Sequence, residues 1–240
     1  MTPRFHVEVP LAAGRPVDLP PRAARHAQVL RLQPGDAVVL FDGRGGQWSA
    51  RIERLGRREV TARPEQHDPV ERELTASLSL ALGMPANDRM DSLIEKATEL
   101  GAAQVQPLVT ERSVLRLSAE RAQTKTAHWR AVAASACEQC GRNRLPEIAP
   151  ALPLAAWLAQ LPAANAAEHR WLLSLAGDAA PLSAGAGMRA WVLSGPEGGL
   201  SRAEELSAQA AGFVPATLGR RVLRADTAPL AALTLLGACT

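Results

Sequence analysis

The chain has 240 residues, 47% hydrophobic and 21% charged, which excludes a disordered or fibrous protein. It contains no run of about 18 apolar residues and no apolar stretch at its amino-terminus, so neither a membrane span nor a secretory signal is expected. Its three Cys cannot build a disulfide framework and point to a reducing, cytoplasmic setting. The formal net charge of +3 lies in one place: residues 1–72 hold 12 Arg against 9 acidic residues, while residues 73–240 balance.

In chain order, residues 4–62 contain short strand-like runs such as Ala37-Val38-Val39-Leu40-Phe41 and Trp48-Ser49-Ala50-Arg51-Ile52. Turn signals separate them at Gln33-Pro34-Gly35-Asp36 and Asp42-Gly43-Arg44-Gly45-Gly46. One short helix carries His26, Val29 and Leu30. The pattern predicts a small β-barrel domain over 1–70, closed by a polar linker at Arg63-Pro64-Glu65-Gln66-His67-Asp68-Pro69. From 73 to 240 strands alternate with helices. Strands are expected at 74–82, 104–109, 170–175, 189–194 and 213–218, and helices at 88–100, 118–140, 201–211 and from 227 onward. Ser201-Arg202-Ala203-Glu204 forms a capping box, and Asp226 or Thr227 would cap the last helix. Such alternation implies an α/β fold with a mostly parallel sheet.

Phosphate-loop and dinucleotide-binding glycine signatures are absent. The Cys137-x-x-Cys140 pair lacks the second Cys/His pair of a zinc site and lies on an apolar helical stripe with Trp129, Val132, Ala133 and Ala136. Buried small hydrophobes explain both Cys, so no metal is expected. Three other segments are less easily structural. Glu138-Gln139-Cys140-Gly141-Arg142-Asn143-Arg144 crowds a carboxylate, amides and guanidinium groups around a helix-breaking glycine. Ser194-Gly195-Pro196-Glu197-Gly198-Gly199 is a restricted loop after a strand, where α/β sheets bind ligands. Leu218-Gly219-Arg220-Arg221-Val222-Leu223-Arg224-Ala225-Asp226-Thr227-Ala228 interposes a basic loop before the last helix.

Together these segments resemble the SPOUT methyltransferases and, more closely, the RsmE family of 16S ribosomal RNA methyltransferases. The likeness runs through Pro3-Arg4-Phe5-His6, Leu40-Phe41-Asp42-Gly43, Ile94-Glu95-Lys96-Ala97-Thr98-Glu99-Leu100-Gly101 and Thr110-Glu111-Arg112-Ser113. It ends in the three segments just described. Arg89 stands where the family often has Lys, and Asp226 where it usually has Glu. The resemblance implies a SPOUT-type sheet with a carboxy-terminal trefoil knot, a PUA-like RNA-binding barrel in front, and a homodimer. It also implies transfer of a methyl group from S-adenosyl-L-methionine to N3 of a uridine in the small ribosomal subunit.

On that footing the cofactor contacts are Leu173, Ser174, Leu175, Gly195, Glu197, Gly198, Leu218, Gly219, Leu223, Arg224, Thr227 and Ala228. Arg142, with Arg112 or Arg224, would stabilise the uridine anion, while Glu138 or Glu197 would help to remove its proton; Glu197 could instead brace its loop. Phosphate contacts are expected from Arg4, Arg22, Arg25, Arg31, Arg144 and the cluster that includes Arg51, Arg54, Arg57 and Arg58. Two rival readings share these features: a SPOUT enzyme acting on another nucleoside, and a non-catalytic RNA-binding assembly protein.

Overall fold

The structure, a computed structural model, describes residues 2–57, 59–86, 88–113, 119–164, 166–177, 179–183 and 189–238. Arg58 and Cys239 lie outside them. The chain divides into two compact units, one of Met1–Glu73 with Ala134–Leu145, the other of Leu74–Ala133 with Pro146–Thr240.

The first unit holds β1 (Arg4–His6), β2 (Val17–Asp18), α1 (Pro21–Val29), β3 (Ala37–Phe41), β4 (Gln47–Leu55) and β5 (Val60–Asp68). They make one five-stranded sheet in the order β1-β3-β4-β5-β2. Every neighbouring pair is antiparallel except β1 with β3. Phe5, Val38, Leu40, Ile52, Val60 and Ala62 alternate onto a face covered by the small residues Ala23, Ala24 and Ala27 of α1.

The expected linker at 63–69 is not one, because residues 63–68 complete β5. Pro64 is tolerated in the strand because it sits at a register shift: Ala50 pairs with Pro64 but Ser49 with Gln66, which leaves Glu65 as the extra residue of a bulge.

The second unit begins with β6 (Ser77–Gly83), α2 (Asp88–Glu99), β7 (Gln104–Val109) and α3 (Ala119–Cys140). It continues with β8 (Glu147–Ile148), β9 (Leu152–Pro153), α4 (Leu154–Gln160), β10 (Glu168–Leu173) and β11 (Ala180–Pro181). The last elements are β12 (Arg189–Ser194), α5 (Arg202–Ala210), β13 (Val214–Thr217) and α6 (Thr227–Gly237). The strands form a sheet in the order β11-β13-β10-β12-β6-β7-β8, with β9 also on β7, and each of these pairings is parallel.

Both faces of this sheet are apolar, as parallel sheets require. Leu78, Leu80 and Leu82 of β6 meet α2, α3 and α6 through Met90, Ile94, Trp129 and Leu233. Ala81, Leu108, Leu172 and Leu193 point the other way, onto Trp157 of α4 and Ala208 of α5. The capping box forms as expected: the Ser201 side chain accepts from Glu204 N–H, and the Glu204 side chain accepts from Ser201 N–H. The cap expected of Asp226 or Thr227 does not form. Asp226 has helical φ and ψ and makes no side-chain cap bond, and the N–H groups of Thr227 and Ala228 donate instead to the Arg224 carbonyl.

Candidate active site

In the second unit β13, β10 and β12 are neighbours, and the chain leaves all three at their carboxyl ends. A cleft of about 510 Å³ opens there. Ser194 to Gly199 line it after β12, Leu173 to Leu175 after β10, and Ala216, Leu218, Gly219, Arg221 to Ala225 and Ala228 after β13. Eleven of the twelve expected cofactor contacts are in this lining. The exception is Thr227, which faces a separate groove with Ser92, Leu93 and Leu230. The geometry adds Arg89, Ser194, Pro196, Gly199, Ala216, Arg221, Val222 and Ala225.

The loop after β12 is held on all sides. Glu197 Oε1 accepts from Ala86 N–H at 3.2 Å and from Arg89 at 3.0 Å, so its charge is engaged. Arg112 donates to the carbonyls of Gly198 at 2.7 Å and Leu200 at 3.3 Å. Glu111 N–H reaches Glu204 Oε1 at 2.8 Å, and Thr110 N–H donates to Ser113 Oγ at 3.1 Å. The Thr110-to-Ser113 motif is therefore a brace for the loop and for the start of α5.

Close packing dictates the glycines. A Cβ on Gly195 would stand 2.7 Å from the Gly199 carbonyl carbon, and one on Gly83 would stand 2.8 Å from the Pro196 nitrogen. Gly83, at the end of β6, was not expected to matter; only the folded neighbourhood shows that the loop must pass over it. Gly219 differs, because it has φ +105° but open space around its missing side chain. Thr217 Oγ1 bonds both the N–H and the carbonyl of Gly219, fixing that turn.

The 138–144 segment lies in the first unit. Arg142 is buried, and its Nε donates to both oxygens of Glu73, at 3.0 and 3.1 Å, with an Nη2 bond beside them. Glu138 Oε1 accepts from His6 N–H at 2.9 Å. Burial is the largest influence on both neighbours: it raises the Glu138 carboxyl above its ordinary range and lowers the His6 imidazole below its own. Asn143, fully buried, donates to the Val70 carbonyl at 2.7 Å and accepts from Arg4 at 2.7 Å. Cys137 is buried against the Arg144 carbonyl, and desolvation pushes its thiol up to about 12.

Arg4, expected as a phosphate contact, turns its guanidinium inward. Its guanidinium donates inward to Gln47, to the carbonyls of Gly141 and Arg142, and to Asn143, and it lies 5.0 Å from the Phe41 ring centroid. Arg51 pairs with Glu65 at 3.1 Å and donates to the Gly35 carbonyl, and Arg54 pairs with Glu59 at 3.5 Å. Arg22, Arg25 and Arg31 are exposed on and just after α1. Arg144 is exposed, with Glu71 at 3.4 Å. Among the described residues no group of three or more His, Cys, Asp or Glu is placed to hold a metal, and no helix is long and apolar enough to cross a membrane.

Comparison with known proteins adds to this geometry. Residues 72–237 match a family model described as an RNA methyltransferase domain, and residues 19–65 match an RNA methyltransferase PUA domain. A protein of Synechocystis named ribosomal RNA small subunit methyltransferase E is 34% identical, over 88% of this chain and 69% of its own length. The chain belongs to the ribosomal RNA small subunit methyltransferase E family. A Bacillus subtilis member is 29% identical over 85% of this chain and 82% of its own. The crystal structure of a Neisseria gonorrhoeae member bound to S-adenosyl methionine superposes with a TM-score of 0.90. It is 36% identical and the match covers 98% of this chain and 96% of that one. A Legionella pneumophila methyltransferase in complex with the same cofactor also reaches 0.90, at 31% identity, covering 99% of this chain and 98% of that one.

Proposed function

We propose that this chain methylates N3 of a uridine in the 16S ribosomal RNA of the small subunit, taking the methyl group from S-adenosyl-L-methionine held in the cleft. The observation that carries this reading is the convergence of the segments after β10, β12 and β13 on one cleft, in a chain whose 36%-identical relative binds that cofactor. The lining suits such a molecule. Leu173, Ala216, Leu218 and Ala228 offer apolar contact to a flat ring, while the glycine-rich turns offer backbone donors and acceptors.

When bound, the cofactor supplies a methyl group on a sulfonium. The uridine N3–H is a weak acid that gives its proton to solvent before the nitrogen attacks, and the resulting charge spreads to O2 and O4; the N3–methyl bond then forms as the sulfonium's methyl–sulfur bond breaks, and the neutral thioether leaves. Arg224 lines the cleft and is the cation we assign to that charge. Arg112 and Glu197 shape the loop instead of reacting, and Arg142 and Glu138 order the 138–144 segment. The same reading includes a knotted passage of the 194–199 and 216–228 segments, a homodimer, and RNA contacts from Arg22, Arg25, Arg31 and Arg144.

The decisive experiment is transfer of a labelled methyl group to small-subunit particles that lack the modification, followed by nucleoside identification. Label in 3-methyluridine is expected. Label in a ribose or another base, or none at all, would overturn the assignment.

A further inference from the structure

In the first unit the turn between β3 and β4 does more than reverse the chain. Gly45 N–H donates to the Asn143 carbonyl at 3.2 Å, and Leu145 N–H donates to the Gly43 carbonyl at 3.3 Å. These two bonds flank an isolated antiparallel bridge between Arg44 and Arg144. They make it the non-hydrogen-bonded kind of pair, in which Cα atoms stand about 4.5 Å apart and side chains are closest. Like charges directly opposite each other destabilise such a pair.

The fold nevertheless forces the meeting. Gly43, Gly45 and Gly46 all have positive φ, at 78°, 114° and 67°. A Cβ at Gly43 would stand 2.6 Å from the Leu145 side chain, and one at Gly45 would collide with Glu71 and Arg144. Gly43 and Gly45 thus let the turn lie close against residues 143–145, which sets Arg44 and Arg144 opposite each other along the backbone. Both arginines are exposed. Glu71 offsets only part of the charge: it stands 3.4 Å from Arg144 and also accepts the Gly46 N–H at 2.7 Å. Asp42 accepts the Arg44 backbone N–H at 3.1 Å, and the Arg44 guanidinium has no acceptor among the described residues.

We propose that Arg44 and Arg144 form a clamp that closes on one backbone phosphate of the RNA. A phosphate cancels the repulsion and presents oxygens to two planar forks, the geometry in which arginine surpasses lysine. The proposal rests on an RNA substrate, as argued above, and adds Arg44, which the sequence did not single out.

The test measures affinity for transcribed 16S ribosomal RNA across a salt series, for the full chain and for Arg44→Ala, Arg144→Ala and the double variant. Each single variant should bind roughly tenfold more weakly, and the slope of log affinity against log salt should shrink by about 0.7–0.9, one phosphate's worth. The double variant should be scarcely worse than either single one, because the phosphate is shared. Thermal midpoints should hold or rise as repulsion is relieved. Unchanged affinity and slope, or losses that simply add, would overturn the clamp. Methyl transfer by the unaltered chain separates the two claims. Activity with fully binding variants sinks the clamp alone, whereas weakened variants of a chain that transfers no methyl group sink the methylation reading alone.

Discussion

Two glycines of the cleft fail for different reasons when substituted. Gly195 has neighbouring backbone where a side chain would go, so Gly195→Val must displace the loop itself. Calorimetry is expected to show no cofactor binding to that variant. Gly219 has room but a left-handed backbone, which costs a non-glycine residue on the order of 1–2 kcal/mol. Gly219→Ala should therefore bind measurably, about tenfold more weakly, because the turn opens without being blocked. Equal loss at both positions would show that one of these accounts is wrong. Two arginines divide in the same way. Arg142→Ala strands the Glu73 carboxylate in a half-closed site and is expected to lower stability by about 3 kcal/mol, read as an earlier denaturant midpoint. Arg224→Ala should leave that midpoint alone and instead slow single-turnover methylation at saturating cofactor. If Arg142→Ala were as stable as the unaltered chain and catalytically dead, a direct role at the uridine would be restored to it.

At the scale of elements, the shifted groups of β1 and of the end of α3 predict a stability that depends on pH. Burial keeps the His6 imidazole below its ordinary range, so its neutral form is the folded one. The stability this allows is complete above about pH 6.5 and is lost as pH falls through the ordinary histidine range, where the unfolded chain takes up the proton first. Glu138 has the opposite sign. Its carboxyl is raised by burial, so it favours the folded state at acid pH and opposes it as pH rises through the raised value. His6→Gln should flatten the acid side of the melting-temperature profile below about pH 6.5, and Glu138→Gln should raise the midpoint at pH 8. A His6→Gln profile parallel to that of the unaltered chain would contradict this.

These elements also show what could be read in advance. Gln104–Val109, Arg189–Ser194 and the capping box at Ser201 carry their own local signals of apolar runs, flanking turns and cap chemistry, and they form where those signals put them. The second half of β5 could not be read, because Pro64 and a run of polar residues spell a linker unless the bulge opposite Ser49 and Ala50 is known. Gly83 and the inward turn of Arg4 were illegible for another reason. Both are set by segments more than 100 residues away, Pro196 in one case and 141–143 in the other, and no local pattern encodes such a meeting.

For the whole molecule, the boundary between units leaves the charge argument intact. Moving Glu73 and residues 134–145 into the first unit adds two Arg and two acidic residues, so that unit still carries the entire excess of +3. What the boundary changes is the expectation for dissection. A chain cut to begin at Leu74 would retain residues 134–145 without the strands they pack on. The carbonyls of Gly141 and Arg142 would lose Arg4, Asn143 would lose Val70, and the Arg142 guanidinium would lose Glu73. Several buried polar groups would be stranded at once, each costing about 1–3 kcal/mol if it stayed buried, so the end of α3 should unwind to reach water. The truncated chain is expected to show less helix by circular dichroism than residues 74–240 contribute to the intact protein, and to melt at a lower temperature. Removing residues 134–145 as well and rejoining the chain from Ala133 to Pro146 should recover much of the lost thermal stability. If the simple truncation melted like the intact chain, residues 134–145 would belong to the second unit after all.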